Sequence, residues 1–298
     1  MQQSSETPSA SVQDRLFALL LEVLPHHLLS RVMFAATRVE WPPFKDRLIR
    51  WVARHYRIDM NEAVESQPDR YPCFNAFFTR ALKSEARPIA SAPEHIASPV
   101  DAEVSQCGVA DDNRLFQAKG REFTLEELLG DEKLATAFRG GSFATLYLSP
   151  RDYHRIHMPL DGRLEQMIHI PGRLFSVNHA TTRAVPRLFA RNERIVNCFD
   201  TAAGPVAVIL VGAIFVGSMD TIWAGPVAPA TRRTTRWYYT DRDRPSVTLS
   251  KGDELGRFNM GSTVILLFAR DRATWTGQLA PGRHVRFGEH IGDVRPVS

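Results

Sequence analysis

The sequence lacks the short motifs that mark several large enzyme classes. Its 298 residues contain no GxxxxGKS or GxxxxGKT phosphate-binding loop and no GxGxxG segment after a predicted strand. They also contain no HExxH zinc motif and no GxSxG nucleophile elbow. These absences argue against a nucleotide-dependent enzyme, a metalloprotease of that type and an α/β-hydrolase.

Cysteine is scarce. The three cysteines, Cys73, Cys107 and Cys198, are odd in number, far apart, and form no CxxC pair. A disulfide framework or a cysteine zinc site is therefore not expected, and a reducing compartment fits best. Each cysteine is predicted to act as a small buried hydrophobe.

Long apolar runs and a strong charge bias are also missing. The apolar stretch at 16–24 is interrupted by Glu22 and ended by Pro25, so it is too short to span a bilayer. No positive region precedes it, because the first basic residue is Arg15, and no secretory signal is expected. The net charge of +4 does not indicate a dedicated nucleic-acid binder. We predict a soluble or peripheral protein.

The N-terminal region is predicted to be helical. Residues 1–10 are polar and are predicted to be a disordered tail. Apolar residues recur at helical spacing through 11–57, and two of the segments open with proline, at Pro25 and Pro42. A further short helix is predicted at 73–83. We therefore assign residues 11–94 to a helical region.

This region is basic and carries aromatic residues. Residues 26–57 contain seven arginines and lysines but only two acidic residues, Glu40 and Asp46, which gives a local charge of +5. Basic amphipathic helices with aromatic side chains are typical of proteins that lie on an anionic membrane surface. Composition alone equally allows a helical subdomain packed on the core, with solvated arginines.

From about residue 95 the pattern changes to β. Turn signals separate the candidate strands, and long helical segments do not alternate with them. A doubly wound sheet is therefore not expected, and we predict an α+β protein with a mostly antiparallel β domain at 95–298. The candidate strands are 143–149, 163–170, 205–219, 246–250 and 262–268.

Two histidines stand out beside the end of a predicted strand. His154 and His157 are three residues apart, which suits a metal, but no third ligand is evident. Their alternative use is proton transfer, because imidazole titrates near neutral pH. A pair of hydrogen-bonded loop histidines is the simpler interpretation.

Asp101 and Ser262 occupy similar turn-like positions. Asp101 follows Pro99 at the start of a predicted strand, where aspartate usually forms a turn or cap. Ser262 follows Gly261 just before a continuous apolar run, which also reads as a turn. An aspartate, a histidine and a serine are equally the parts of a nucleophilic triad. Their spacing does not show whether they meet.

Longer stretches of the chain are more specific. Together they resemble the bacterial phosphatidylserine decarboxylase proenzymes, a pyruvoyl-dependent family, in order from about residue 70 to 268. The matching stretches are FNAFFTRALK with RPI (74–83, 87–89), SPVDAEVSQCG (98–108), QAKGREFTLEELLG (117–130), YLSPRDYHRIHMPLDG (147–162), PGRLFSVNH (171–179), LFARNERIV (188–196), ILVGAIFVGSMDTIWAG (209–225) and KGDELGRFNMGSTVILLF (251–268).

The resemblance implies that the protein cuts its own Gly261–Ser262 bond. Ser262 Oγ would attack the Gly261 carbonyl to form an ester, and β-elimination followed by hydrolysis would leave a pyruvoyl group at position 262. The products would be a large chain, 1–261, and a small chain, 262–298. By the same resemblance, His157 is the base, Asp101 orients and stabilises its imidazolium, and Gly261 supplies the backbone bend.

The resemblance also implies the reaction. The pyruvoyl group would form a Schiff base with phosphatidylserine and accept electrons as carbon dioxide leaves, giving phosphatidylethanolamine. His154 would donate the proton, and no external cofactor and no metal would be required. The two chains would form a heterodimer, with a higher oligomer left open, without nucleic acid. We expect a peripheral position on the cytoplasmic face of the cell membrane.

Two residues depart from the family pattern, and two other functions remain open. Met260 replaces leucine, a comparable apolar side chain, and Ala102 replaces a glycine, which would be strained if the position needs positive φ. A serine hydrolase acting in trans and a non-catalytic membrane-binding module are the alternatives. The segment 230–239 is either a second basic, aromatic surface or a solvated loop.

Overall fold

The computed structural model describes residues 11–118, 121–214, 218–228, 233–240 and 244–295. The predicted tail at 1–10 lies outside these ranges, as do 215–217 within one predicted strand and 230–232 within the predicted basic surface. The helices are α1 (Val12–Val23), α2 (His26–Ala36), α3 (Pro42–His55), α4 (Phe74–Phe78), α5 (Leu125–Leu129), α6 (Glu132–Thr136), α7 (His179–Ala184) and α8 (Leu188–Arg191).

The remaining regular structure is β, with short 3-10 turns at Met60–Glu62, Pro68–Arg70 and Ser84–Ala86. The strands are β1 (His95–Ala97), β2 (Ala102–Val109), β3 (Arg114–Ala118), β4 (Arg121–Thr124), β5 (Ser142–Tyr147), β6 (Arg155–His157), β7 (Gly162–Ile170), β8 (Arg194–Thr201), β9 (Gly204–Val211), β10 (Met219–Thr221), β11 (Gly225–Ala228), β12 (Thr235–Tyr238), β13 (Thr248–Leu249), β14 (Glu254–Phe258), β15 (Thr263–Phe268), β16 (Ala273–Trp275), β17 (His284–Val285) and β18 (His290–Val294).

The predicted N-terminal helices are confirmed. Ser11 caps α1 by accepting a hydrogen bond from the Asp14 backbone, and the Asp14 carboxylate accepts one from the Ser11 N–H in return. Pro42 is the first residue of α3, as predicted, whereas Pro25 is the N-cap of α2 rather than a residue of its first turn. No helix among the described residues is long and apolar enough to cross a membrane.

Helix α4 is shorter than the helix predicted at 73–83. It ends at Phe78, and the hydroxyl of Thr79 bonds back to the Asn75 carbonyl. The following residues leave the helix because their backbone pairs with an earlier segment: the Val64 N–H donates to the Ala81 carbonyl. Local helical spacing was therefore overridden by a long-range backbone contact.

The helical region forms its own small hydrophobic core, in which α3 packs on α4. Its buried members are Ile49, Val52, Tyr71, Phe74, Phe77 and Phe78. Met260 packs against this cluster and against the main core as well. The residue before the Gly261–Ser262 junction therefore joins the two cores.

The α+β class is confirmed, and the strands pair antiparallel in four sheets. The main sheet runs in the order β12-β7-β8-β9-β15-β5-β2-β17, and β13 also pairs with β7. A second sheet has the order β11-β10-β14-β6, a third β1-β18-β16, and β3 pairs with β4.

Strand β15 lies in the middle of the main sheet. It pairs with β5 on one side and β9 on the other, and all six of its residues are buried. A strand covered on both faces loses the alternation of apolar and polar residues, which explains the continuous apolar run in the sequence. The residue that precedes this strand is Ser262.

The strand predicted at 205–219 is wrong as a single element. Strand β9 ends at Val211 and β10 starts at Met219, and the two belong to different sheets. The chain leaves the main sheet at Gly212, whose N–H donates to the Glu193 carbonyl. In the described part of 230–239, β12 pairs with β7, and Arg236 forms an ion pair with Asp131, so an edge strand occupies this stretch.

Candidate active site

Ser262 is held in the core at the start of β15. Its carbonyl accepts a hydrogen bond from the Leu148 N–H at 2.9 Å, which fixes the backbone. The residue is 0% exposed, and no described residue hydrogen-bonds its Oγ. Buried polar atoms are rarely left without a partner, so this hydroxyl is a candidate for chemistry.

Gly261 lies in close packing. The bend in the chain lies at Asn259 and Met260, and the φ angle of Gly261 is outside the left-handed region. A Cβ at this position would lie 3.2 Å from the Leu148 carbonyl oxygen and 3.5 Å from Nε2 of His154. The expected backbone bend is therefore beside Gly261, and the glycine itself makes room for its neighbours.

His154 is the histidine closest to this junction. It is 0% exposed, and its Nδ1 lies 2.8 Å from the Asp152 carbonyl oxygen, which assigns the ring proton to Nδ1. Its Nε2 is left as a bare lone pair beside Gly261, with no partner among the described residues. Burial, with a smaller contribution from the charge of Arg80, lowers the pKa of His154 to about 3, against the raising effect of the Asp152 hydrogen bond. His154 is therefore neutral and can accept a proton.

His157, on β6, is also neutral but is fully partnered. Its Nδ1 lies 2.8 Å from the Gly252 carbonyl oxygen, and its Nε2 lies 3.0 Å from the Tyr153 hydroxyl. The ring stacks on Phe287, with 3.7 Å between centroids. Burial lowers the pKa of His157, and the same cause raises the pKa of Tyr153, which stays protonated. The tyrosine hydroxyl can therefore donate to Nε2.

Asp101 is held by an arginine. Arg87 forms a two-pronged contact with its carboxylate, at 2.6 Å from Nη2 to Oδ2 and 2.9 Å from Nε to Oδ1. The Phe287 N–H donates a third bond, at 2.8 Å. Arg87 also reaches Glu62 at 2.8 Å. These contacts fix the orientation of the Asp101 carboxylate inside the protein.

The structure therefore brings the predicted residues into one region without closing a chain of hydrogen bonds. The expected direct contact between Asp101 and His157 is absent, because Gly252 and Tyr153 orient the imidazole instead. Phe287 contacts both residues. Its backbone N–H donates to the Asp101 carboxylate, and its ring stacks on the His157 imidazole. The Asp101 charge still raises the pKa of His157 against the larger effect of burial.

Sequence reasoning missed three residues of this region. Tyr153 lies inside the same PRDYHRIH stretch as the histidines, and Arg87 lies in the RPI segment, so both carried a local signal. Phe287 carried none, because it is 130 residues from His157 in the sequence and is brought close by the fold alone. Ala102 begins β2 without positive φ, so the departure from glycine brings no strain.

A geometry that suits a metal ion occurs elsewhere. Ligand atoms of His95, His290 and Asp293 lie within 4.8 Å of one another, on β1 and β18. His290 Nε2 is 2.9 Å from the Asp293 carboxylate, so these side chains already satisfy one another. Neither His154 nor His157 belongs to this group.

Comparison with known proteins supports one family. The family model described as phosphatidylserine decarboxylase matches residues 74–293, and a second model, described as PSD, matches 16–57. The chain is similar to proteins named phosphatidylserine decarboxylase proenzyme. That of Azotobacter vinelandii is 55% identical over 95% of this chain and 99% of the relative. Those of Methylococcus capsulatus (52%, over 96% and 99%) and Pseudomonas aeruginosa (53%, over 94% and 97%) are comparable.

The lowered pKa of His154 predicts acid sensitivity. The unfolded histidine binds a proton below about pH 6.5, whereas the folded one does so only near pH 3, so stability falls as pH drops through this window. Between pH 7 and 4.5 the loss from this one residue is about 2.5 kcal/mol. Urea unfolding of Ser262→Ala, kept in one piece, should show this loss, and the double variant with His154→Asn should lose that much less. Equal losses in the two proteins would contradict the assigned pKa.

Proposed function

The chain belongs to the phosphatidylserine decarboxylase family, and we propose that it decarboxylates phosphatidylserine to phosphatidylethanolamine through a pyruvoyl group made from its own Ser262. The observation that carries the proposal is the Gly261–Ser262 junction. Its serine hydroxyl is buried without a partner among the described residues, and a neutral histidine nitrogen faces the adjacent glycine. A dry site with an available nucleophile and neutral bases suits self-cleavage.

The proposed cleavage uses only the residues described above. Ser262 Oγ attacks the Gly261 carbonyl carbon, and the acyl group moves from nitrogen to oxygen. Loss of the Ser262 α-proton then expels the Gly261 carboxylate, and hydrolysis of the dehydroalanine releases ammonia and leaves the ketone. Each step needs a base, which a neutral imidazole supplies.

We assign the first proton transfer to His157 and the protonation of product to His154. Support for His157 is its neutral ring and the charge of Asp101, which favours the imidazolium that forms. Support for His154 is its bare Nε2 beside the future ketone. Because its pKa is about 3, His154 holds a proton only when the reaction delivers one.

A pyruvoyl group fits this location. It supplies the electron sink that decarboxylation requires and that no ordinary side chain provides. Position 262 would place it beside His154, where both residues are 0% exposed. The neighbouring residues need only orient the headgroup and move a proton.

The two chains are expected to remain together as a heterodimer. The small chain, 262–298, would start with β15, which is hydrogen-bonded to β5 and β9 of the large chain. It would also contribute β17, paired with β2, and β18, paired with β1. These contacts hold the small chain from several sides after the peptide bond is cut.

Self-cleavage predicts two chains on a denaturing gel. Intact mass should show a large fragment ending at Gly261 and a 262–298 fragment that is blocked to Edman chemistry and reacts with hydrazine reagents. Ser262→Ala should stay uncut because it lacks the nucleophile. Thr145→Val is the matched control, since its hydroxyl is also buried without a described partner yet lies on β5, and it should cut normally.

The same gel separates the alternatives. A serine hydrolase acting in trans would keep one intact chain with a reactive Ser262. A membrane-binding module would bind lipid equally well with Ser262→Ala. A wild-type protein that stays full length after purification would falsify the pyruvoyl proposal.

The two histidines are expected to fail at different stages. His157→Ala should remain uncut, because the serine loses its base. His154→Ala should be cut but should turn over phosphatidylserine about 100-fold or more slowly, within the usual range for loss of a general acid or base. Single-turnover measurements on the purified two-chain form of His154→Ala give its rate of decarboxylation. A normal rate would show that His154 is not the proton donor.

We also propose a peripheral position on the cytoplasmic face of the cell membrane, reached through the N-terminal helices. Large apolar side chains on all three are exposed, and Trp41, at 65%, and Trp51, at 58%, are prominent. An open groove of ≈ 390 Å³ on α3 combines aromatic residues with a cation. The residues that line it are Trp41, Pro43, Phe44, Arg47, Leu48 and Trp51. Apolar and basic groups on one face match an anionic lipid surface.

Membrane docking predicts a loss of vesicle binding when the tryptophans are removed. Co-sedimentation with vesicles of equal phosphatidylglycerol and phosphatidylcholine should fall by roughly tenfold or more in the Trp41→Ser/Trp51→Ser variant, because two buried aromatic contacts are lost. Binding should also weaken as salt rises. Val109→Ser, another exposed apolar residue, should bind like wild type. Unchanged binding by the double variant would favour a packed helical subdomain.

A further inference from the structure

Arg80 is a buried cation without a hydrogen-bonded acceptor among the described residues. It follows α4 and is 5% exposed. Its Nε is buried without a partner there, and no group of the described residues accepts a hydrogen bond from its guanidinium or forms an ion pair with it. The Phe77 ring lies beside it, with the Cζ atom 5.6 Å from the ring centroid, and the carboxylates of Asp101 and Glu62 act on its charge only at longer range.

Other buried arginines of this protein are fully partnered. Arg87 binds the carboxylates of Asp101 and Glu62. Arg194 donates to four backbone carbonyls, among them those of Leu128 and Glu127. At these two structural arginines the fold provides hydrogen-bond acceptors for the buried guanidinium. Arg80 has no such acceptors among the described residues.

Leaving such a charge unpaired is costly. Arginine stays protonated even when burial lowers its pKa, as it does here, so the charge cannot be removed by deprotonation. An unpaired buried charge persists in a protein chiefly where it serves function, because it destabilises the folded state. A buried guanidinium with no hydrogen-bonded acceptor among the described residues has donors free to bind an anion.

The position of Arg80 places that anion beside the proposed active site. Phe78, two residues earlier, contacts the His154 ring with 4.0 Å between centroids. Asn75, on the same short helix, donates to the Asn259 carbonyl just before the Gly261–Ser262 junction. The Thr79 carbonyl accepts from Arg155, which lies between the two histidines in the sequence. The segment that carries Arg80 is thus fastened to both sides of the site.

The headgroup of phosphatidylserine offers two anions, a carboxylate and a phosphodiester. The carboxylate leaves as neutral carbon dioxide, so a cation that gripped it would stabilise the substrate more than the transition state and slow the reaction. The phosphodiester keeps its charge throughout the reaction. A cation that binds it therefore increases affinity without slowing the loss of carbon dioxide. Its geometry also suits the two-pronged donors of a guanidinium.

Resting on the proposed function, we propose that Arg80 binds the phosphodiester of the amino-phospholipid headgroup and so positions the amino acid end of the substrate at residue 262. This is a binding role, which affects substrate and product equally because both retain the phosphodiester. It is separate from the proton transfers assigned to His154 and His157.

The test compares Arg80→Met, Arg80→Lys and a matched control, Arg114→Met, which removes an exposed arginine on β3 paired with Glu122. With a short-chain, water-soluble phosphatidylserine, Arg80→Met should raise KM about 10- to 100-fold and leave kcat nearly unchanged. Inhibition by the matching short-chain phosphatidylethanolamine should weaken by the same factor. Arg80→Lys should restore part of the affinity, and Arg114→Met should match wild type.

Stability gives an independent readout. If Arg80 serves to bind a ligand, Arg80→Met removes a buried charge that has no hydrogen-bonded partner in the free protein, so the thermal midpoint of the free protein should stay constant or rise. The uncleaved Ser262→Ala protein should be stabilised by glycerophosphoethanolamine, and Ser262→Ala with Arg80→Met should not be. This second experiment needs neither cleavage nor turnover, so it tests Arg80 even if the proposed reaction is wrong.

Three outcomes overturn the proposal. A lower thermal midpoint with failed cleavage in both Arg80 variants indicates a structural residue. A raised KM with unchanged product inhibition indicates that Arg80 binds the carboxylate. A fall in kcat with constant KM places Arg80 in the chemical step. Absence of cleavage and turnover in the wild type, by contrast, rejects the proposed function and not the anion site.

Discussion

The pairing of β15 with both of its neighbours is the constraint on which the site depends. It fixes the residue before the strand, Ser262, inside the core, where its hydroxyl is 0% exposed and has no hydrogen-bond partner among the described residues. The same pairing would keep the strand in place if the bond on its N-terminal side were cut. The proposed cleavage therefore depends on an arrangement that would also retain both of its products.

Burial then sets the protonation state of three groups around that bond. His154 and His157 are neutral because desolvation penalises their charged forms, and Tyr153 stays protonated for the same reason. Asp101 is held in place by Arg87 and by a backbone N–H. The region thus combines neutral imidazoles, which can accept a proton, with a nearby carboxylate that can stabilise the imidazolium formed. A solvated site would not maintain this combination.

Local sequence predicted those parts of the fold that depend on local patterns. The three N-terminal helices follow from apolar spacing, and the run before Phe268 identified a buried strand. The break at Gly212 and the short α4 were not predictable, because contacts with Glu193 and with the segment near Val64 decide them. In the site, the stretches that resemble the decarboxylases indicated which residues converge. Phe287 between Asp101 and His157 depends on tertiary packing that no motif encodes.

The small core of the helical region connects the proposed membrane face to the proposed chemistry. Trp41, the N-cap of α3, and Trp51 within that helix are exposed. Ile49 and Val52 of α3 are buried and pack against the phenylalanines of α4. One of these, Phe78, contacts His154, so a single layer of aromatic side chains separates the outer face from the proposed proton donor. A lipid substrate whose tails stay in the bilayer needs such a short path, because only its headgroup has to leave the surface. The helices proposed to dock the protein and the aromatic residues beside His154 are thus parts of one packed layer.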